Sequence, residues 1–373
     1  MIPVSRPHLT SDDIEAVKAA LEAGYLSGEA PIVAEFESRF ASAVGREHGV
    51  AVANGSVALD LAIHALDLEP GDEVLVPSFT IASCLFAILR TGATPVFVDS
   101  DPITWNMSPE HFASLVTSKT RALMAVHIYG LPIDLDPVLQ ICRSRGIAVI
   151  EDAAESHTVT YKGRQCGSFG LASTFSFYPN KAITTGEGGM IVTDDVQFRD
   201  RLKKLRNLAF RPPPGRRFIH DEIGWNFRMS SLQAALGNSQ LNRMSDVTAE
   251  KRRIGTRYFG LLADHELVTM QPSATAYSEN KYWVAGVLLD ERIDAIEVAS
   301  ELRSRGVDTR PFFYPLHQQP LLAKYGLAEQ VPLPVAERLG RDGLYLPSFV
   351  GMAEADIERS AKALVSVVEH TAS

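Results

Sequence analysis

Cysteine is scarce and scattered. Cys84, Cys142 and Cys166 are the only three, and neither their odd number nor their spacing suits a disulfide framework or a metal-ligand set. They read as reduced thiols of a cytosolic protein, and no metal is expected. Long apolar runs are missing as well, so no membrane partner is expected. The opening stretch MIPVSRPHLTSDD lacks a basic region followed by an apolar one, so no secretory signal is expected from it. Basic charge is the minority: 36 Lys and Arg stand against 45 Asp and Glu, for a net charge of -9. That balance argues against a nucleic-acid or anionic-membrane partner. A phosphorylated substrate can still bind through a local cationic pocket. No internal repeat or low-complexity tract is visible.

What is present is an ordinary globular balance, 46% hydrophobic and 22% charged, in a chain of 373 residues. That length suits a large domain plus a smaller one. Residues 10–22 and 32–45 read as helices. Strands and helices then alternate: HGVAVAN, SVALDLAIHALDL, DEVLVPS, ASCLFAILRTG, TPVFVDS, RALMAVHIYG, DLDPVLQICRSRG and IAVIEDAA. Strands alternating with helices of about a dozen residues predict an α/β fold with a largely parallel sheet. ASTFSFYP and GGMIVTDD are two more short strands. One long helical stretch is expected over roughly 231–263. YWVAGVLLD, AIEVASELRSRG and DTRPFFYP suggest a smaller α+β unit. We place the boundary near 245, giving 1–245 and 246–373. AFRPPPGRRFIH must be a loop, because three consecutive prolines fit neither a helix nor a central strand.

Three segments carry chemistry. In AVANGSVALDLAI a strand runs through Asn54, Gly55 and Ser56 into a helix; unpaired N–H groups at a helix start can hold a phosphate or simply be capped. IAVIEDAAES ends a strand in Glu151-Asp152, at the edge where α/β sheets bind ligands. An Asp there can pair with a protonated cofactor ring nitrogen, ligate a metal or cap a helix. TFSFYPNKAITTGEGGM sets Lys181 among apolar residues; it can simply cap a turn, or partial burial would lower its pKa and favour condensation with an aldehyde. Ser176 is a candidate phosphate ligand. Gly186, Gly188 and Gly189 do not make a P-loop, since no Gly-Lys-Ser/Thr follows.

EDAAES, FSFYPNKAITTGEGGM and GWNFRMSSLQAALG together resemble the DegT/DnrJ/EryC1/StrS family of sugar aminotransferases, from about residue 2 to about residue 368. The resemblance implies the pyridoxal-phosphate (PLP) type I, or aspartate aminotransferase, fold. By the same resemblance Lys181 is the Schiff-base lysine and Asp152 the partner of the pyridine nitrogen. Glu155 and His157 face the cofactor ring; Gly55, Ser56 and Ser176 form its phosphate cup. Asn226 reaches the neighbouring subunit's cofactor, which implies a homodimer with shared sites. Arg310, Tyr314 and His317 border a sugar pocket, and Arg211, Arg216 and Arg217 are candidates to meet a nucleotide diphosphate. Glutamate is the implied donor and a keto sugar the acceptor; MAVHIYG, TTGEGGM and TRPFFYPLHQQP point to C-4 of a nucleotide-linked 4-keto-6-deoxy sugar. A keto sugar without a nucleotide, or a cyclitol, is the alternative acceptor.

The chain also departs from the family pattern. Ile81 stands where many relatives have an aromatic residue over the ring, and Thr158 and Pro179 stand where relatives often have Gly. Some relatives are PLP-dependent sugar dehydratases. Lys181 speaks against the kind that carries histidine there, and the cysteine spacing against the iron–sulfur kind.

Overall fold

The computed structural model describes residues 1–210, 218–327 and 331–372. Two helices, α1 (Ser11–Glu22) and α2 (Pro31–Val44), lead into the first half of the chain. There, β1 (His48–Val52), α3 (Gly55–His64), β2 (Glu73–Pro77), α4 (Ala82–Thr91) and β3 (Thr94–Val98) alternate. They are followed by α5 (Pro109–Leu115), β4 (Thr120–Val126), α6 (Leu135–Arg145) and β5 (Ala148–Asp152). A short hairpin, β6 (Thr160–Tyr161) and β7 (Arg164–Gln165), precedes β8 (Ala172–Ser176), β9 (Gly189–Thr193) and α7 (Val196–Arg206).

These strands form one seven-stranded sheet in the order β1-β9-β8-β5-β4-β2-β3. The pairs β2/β3, β2/β4, β4/β5 and β5/β8 are parallel, and β9 runs antiparallel to both its neighbours. Parallel neighbours need a crossover, which is why helices separate the early strands. Both faces of the sheet are covered, and the side-chain period of two sorts each strand between two cores. Val74, Val76, Met124 and Ile150 join one core, while Leu75, Leu123, Ala125 and Val149 join the other. The register sets Val126, Asp152 and Thr174 abreast at the C-terminal ends of β4, β5 and β8.

The remainder builds a smaller layer. It comprises α9 (Met244–Leu262), β10 (Val268–Thr269), β11 (Ala285–Leu289), α10 (Ala295–Ser304), β12 (Arg310–Pro311), α11 (Pro334–Asp342), β13 (Gly343–Leu346) and α12 (Glu354–Thr371), while the preceding α8 (Ser231–Leu241) packs against α1 and α2. A four-stranded antiparallel sheet in the order β10-β11-β13-β12 packs with α9, α10 and α12 around its own core. Ile2 pairs with Val307 and is buried in that core, so the first residues of the chain return to the second unit. The stretch expected as one helix is two. It breaks at Asn242–Arg243, where the Arg243 guanidinium is held by Asp13 of α1.

Candidate active site

The C-terminal ends of β4, β5 and β8, the starts of α3 and α4, and the turn after β8 enclose a cavity of about 750 Å³. Strand alternation decides which of two adjacent carboxylates enters it. Asp152 lines the cavity. Glu151 does not, and is fully buried, accepting hydrogen bonds from Gly167 N (2.9 Å), Phe169 N (2.6 Å) and Ser173 Oγ (3.0 Å), with His127 Nε2 at 2.9 Å. Asp152 accepts from Ala154 N (3.1 Å) and from the Cys84 thiol (3.4 Å). Burial pushes its carboxyl up, opposed by those hydrogen bonds and by the charge of Lys181. A buried carboxylate so lightly satisfied can still take a cationic partner.

Lys181 lies in the turn between β8 and β9, its side chain 9% exposed. Its Nζ is 3.8 Å from Glu155 Oε1 and 3.7 Å from the ring centroid of Trp283. The indole donates to Asn180 O at 3.0 Å, which fixes the ring plane under the ammonium. Desolvation pulls the Lys181 pKa down, while Glu155 and Asp152 oppose the shift. The same burial pushes Glu155 up to about 7, and its other oxygen accepts from Tyr129 N at 2.9 Å. An amine held this way reaches its neutral, nucleophilic form at lower pH than an exposed lysine.

A third wall is a cradle of small groups. Asn54 caps α3 by accepting from Val57 N at 3.0 Å, and Gly55 and Ser56 follow it along the cavity. The first N–H groups of a helix have no partner within it, so this end suits an anion. A Cβ on Gly55 would stand 2.7 Å from Ser176 Cβ, so only glycine lets α3 approach the end of β8 this closely. Ser56 Oγ and Ser83 Oγ are 2.7 Å apart, which adds α4 to the cradle.

Comparison with known proteins matches this arrangement. The profile of the DegT/DnrJ/EryC1/StrS aminotransferase family covers residues 7–365. The chain belongs to that family. It is 38% identical over 369 residues to the GDP-perosamine synthase of Caulobacter vibrioides, covering 98% of each chain. It is also 38% identical to the GDP-perosamine synthase of Escherichia coli O157:H7, covering 95% of each. Among solved structures, the aminotransferase TlmJ from Streptoalloteichus hindustanus superposes with a TM-score of 0.92 at 29% identity, over 100% of both chains. This protein is therefore a PLP-dependent sugar aminotransferase of type I fold.

The cavity of this aminotransferase fits its cofactor. Asp152 is a buried acid, Lys181 a desolvated amine, and Gly55, Ser56 and Ser176 are a phosphate-sized cradle, all on the wall of one space. Glu155 and Ile81 line that space as well, Ile81 as an exposed aliphatic side chain. The other residues expected at the site lie elsewhere. His157 is buried among Phe40, Phe175 and Phe177, outside the main cavity. His317 is buried between Ser78 Oγ (2.7 Å) and Glu337 Oε1 (3.1 Å), tying the end of β2 to α11. Tyr314 is exposed beside the cavity residue Phe313, and Arg310 is paired with Asp308 at 3.0 Å, opposite the cavity residue Tyr345. Asn226 is exposed and bridges to Asn207, away from its own chain's cavity. Arg211, Arg216 and Arg217 lie outside the described residues.

Sequence reading missed Trp283, Cys84 and Tyr345. Nothing local marks them, because each reaches the site from a distant element. Thr158 has a φ of 60°, the left-handed conformation that glycine adopts without steric cost.

Proposed function

We propose that this aminotransferase moves an amino group from glutamate to C-4 of a nucleotide-linked 4-keto-6-deoxy sugar, the perosamine-type reaction. The observation that carries this reading is the full-length 38% identity to GDP-perosamine synthases, together with a cavity large enough for a cofactor and a sugar. An acceptor without a nucleotide, sugar or cyclitol, is the second reading, and the arginines at 211, 216 and 217 favour the first.

Bound PLP supplies an electron sink that makes the carbon next to the transferred nitrogen acidic. In our reading Lys181 would hold the cofactor through its Nζ and, once freed, would move a proton to and from the carbon that the cofactor makes acidic. Asp152 holds a proton on the ring nitrogen by charge pairing, which its isolation from water strengthens. Glu155 sets the charge of Lys181. Gly55, Ser56 and Ser176 fix the phosphate. Ile81 gives aliphatic contact in place of ring stacking. Tyr314 and Arg310 meet the sugar nucleotide, while His157 and His317 act through the groups they position. Asn226 is exposed and does not line its own chain's cavity, which suits a residue serving a neighbouring subunit, so we assign a homodimer with shared sites. We divide the chain near residue 245 into a cofactor-binding unit and a smaller unit that closes over the sugar, and we place the enzyme in the cytoplasm.

A single-turnover absorbance experiment tests this. Glutamate should bleach the yellow protein to its pyridoxamine form. After donor removal, GDP-4-keto-6-deoxymannose should restore the colour and leave as the 4-amino sugar. Restoration only by an acceptor without a nucleotide would sink the nucleotide-sugar assignment, and no bleaching would sink the glutamate assignment.

A further inference from the structure

Glu155 and Trp283 separate the main cavity from a second space of about 20 Å³, whose walls also include His157, Thr248, Lys251 and Lys281. That volume is close to what one water molecule needs. Its walls are largely apolar, with a few polar groups set into them. His157 is 5% exposed, and its Nε2 is buried with no hydrogen-bond partner among the described residues. Burial holds the imidazole pKa down to about 3, so the ring is neutral and each nitrogen can make one hydrogen bond. The Thr248 hydroxyl donates to Met244 O at 2.9 Å and keeps its lone pairs. Lys251 Nζ donates to Ser348 O and Oγ, both at 2.7 Å, and burial pulls its pKa down to about 7, so near neutrality its remaining position holds either a proton or a lone pair. Thr248 and Lys281 also line a larger groove of about 860 Å³ along α9. Thr248 and Lys281 therefore stand between the α9 groove and the small cavity, and Glu155, beside Lys181, stands on its other side.

We propose that the small cavity is a water-binding site in which one ordered water bridges His157 Nε2 and the Glu155 carboxyl group. A molecule that fills so small a space touches both walls. His157 is then a positioning residue. It orients the water, the water hydrogen-bonds the Glu155 carboxylate, and the carboxylate sets the charge of Lys181. The link to catalysis rests on the proposed role of Lys181, whereas the water site itself does not.

A crystal structure of the cofactor-loaded protein, at a resolution that shows ordered water, tests the site. The expected result is one peak within hydrogen-bond distance of both His157 Nε2 and a Glu155 oxygen. His157→Phe suits the surrounding rings of Phe40, Phe175 and Phe177 and removes the nitrogen. It should lose the peak and lower the pH midpoint of the cofactor–lysine absorbance by about half a unit or more. His157→Gln keeps a polar group and should restore both. Should His157→Phe fail to load cofactor, Thr248→Leu fills the cavity from the opposite wall and should give the same loss and the same shift. A dry cavity, or a water touching only one of the two groups, overturns the bridge. A peak lost with no change in midpoint overturns the link to Lys181. Borohydride trapping of cofactor on Lys181 is independent of both, so failure of the lysine assignment is recognised separately.

Discussion

Replacing Glu155 with Gln removes a carboxylate 3.8 Å from Lys181 Nζ. With an effective dielectric near 20, attraction at that separation is about 4 kcal/mol. Converted to proton affinity, this is a ceiling of about 3 pH units on the loss of lysine basicity. The ceiling is not reached near neutrality, because burial pushes the Glu155 carboxyl up to about 7 and leaves it only partly ionised. A fall of about 1–2 units in the Lys181 pKa is the expected outcome. The sign follows from the opposing causes: desolvation lowers the lysine, Glu155 and Asp152 raise it, and the variant loses the larger of the two opposing charges. The rate at which apoprotein captures added PLP covalently, followed by absorbance, reports the neutral amine. The rate–pH profile of Glu155→Gln should move to lower pH. A profile within about 0.3 unit of the wild type would refute the electrostatic role of Glu155.

Lys181→Ala should still bind PLP through the cradle but give no borohydride-trapped adduct and negligible steady-state turnover, checked by mass spectrometry and a coupled assay. Gly55→Ala must open the 2.7 Å approach of its new Cβ to Ser176 Cβ, so PLP affinity should fall about tenfold or more while the fold survives. In α8, Gly237→Ala places a Cβ 2.5 Å from the buried Phe36 ring and should destabilise by about 1–3 kcal/mol in urea titration. Gly260→Ala, in α9 with nothing within 4 Å, should instead stabilise by about 0.5–1 kcal/mol.

The alternation of strands and helices was legible because each early strand is a short apolar run bounded by turn residues, and both faces of the sheet demand that pattern. Asp152 and the Gly55-Ser56 turn were legible for the same reason, since they sit at a strand end and a helix start, whereas Lys181, in the turn between β8 and β9, was legible through its motif. The break at Asn242–Arg243 was not legible, because it depends on Arg243 meeting Asp13, over two hundred residues earlier. Helix α7 was overlooked although its signal is there: Phe198, Leu202 and Leu205 recur at i, i+4 and i+7 and bury one face against the main core. Trp283 is held near Lys181 by the packing of the Tyr282–Trp283 backbone on Gly130, where a Cβ would stand 2.6 Å from Trp283 N. His157 and His317 are polar residues in suggestive motifs that folding places beside the site rather than in it.

The neighbours Glu151 and Asp152 give the sharpest separation of structure from chemistry, because one strand turns them to opposite faces. Glu151 Oε1 accepts from Phe169 N and Ser173 Oγ, and Oε2 accepts from Gly167 N with His127 Nε2 beside it. An amide at this position must turn its NH2 toward one of those pairs. His127 or Ser173 can then switch from donating to accepting, but a backbone N–H cannot. Glu151→Gln therefore strands the N–H of Gly167 or Phe169 in a fully buried site, which costs about 1–3 kcal/mol. The cavity is untouched, so the folded fraction should transaminate at close to the normal rate. Asp152→Asn has the reverse effect. Its oxygen can keep the Ala154 N–H, and removing a desolvated charge costs the fold little. The ring nitrogen loses its anionic partner, and the donor half-reaction should slow by about 100-fold or more. Urea midpoints and single-turnover rates, measured on both variants, read the two effects independently. An Asp152→Asn protein as unstable as Glu151→Gln, or a folded Glu151→Gln protein as slow as Asp152→Asn, would contradict this division of the two carboxylates.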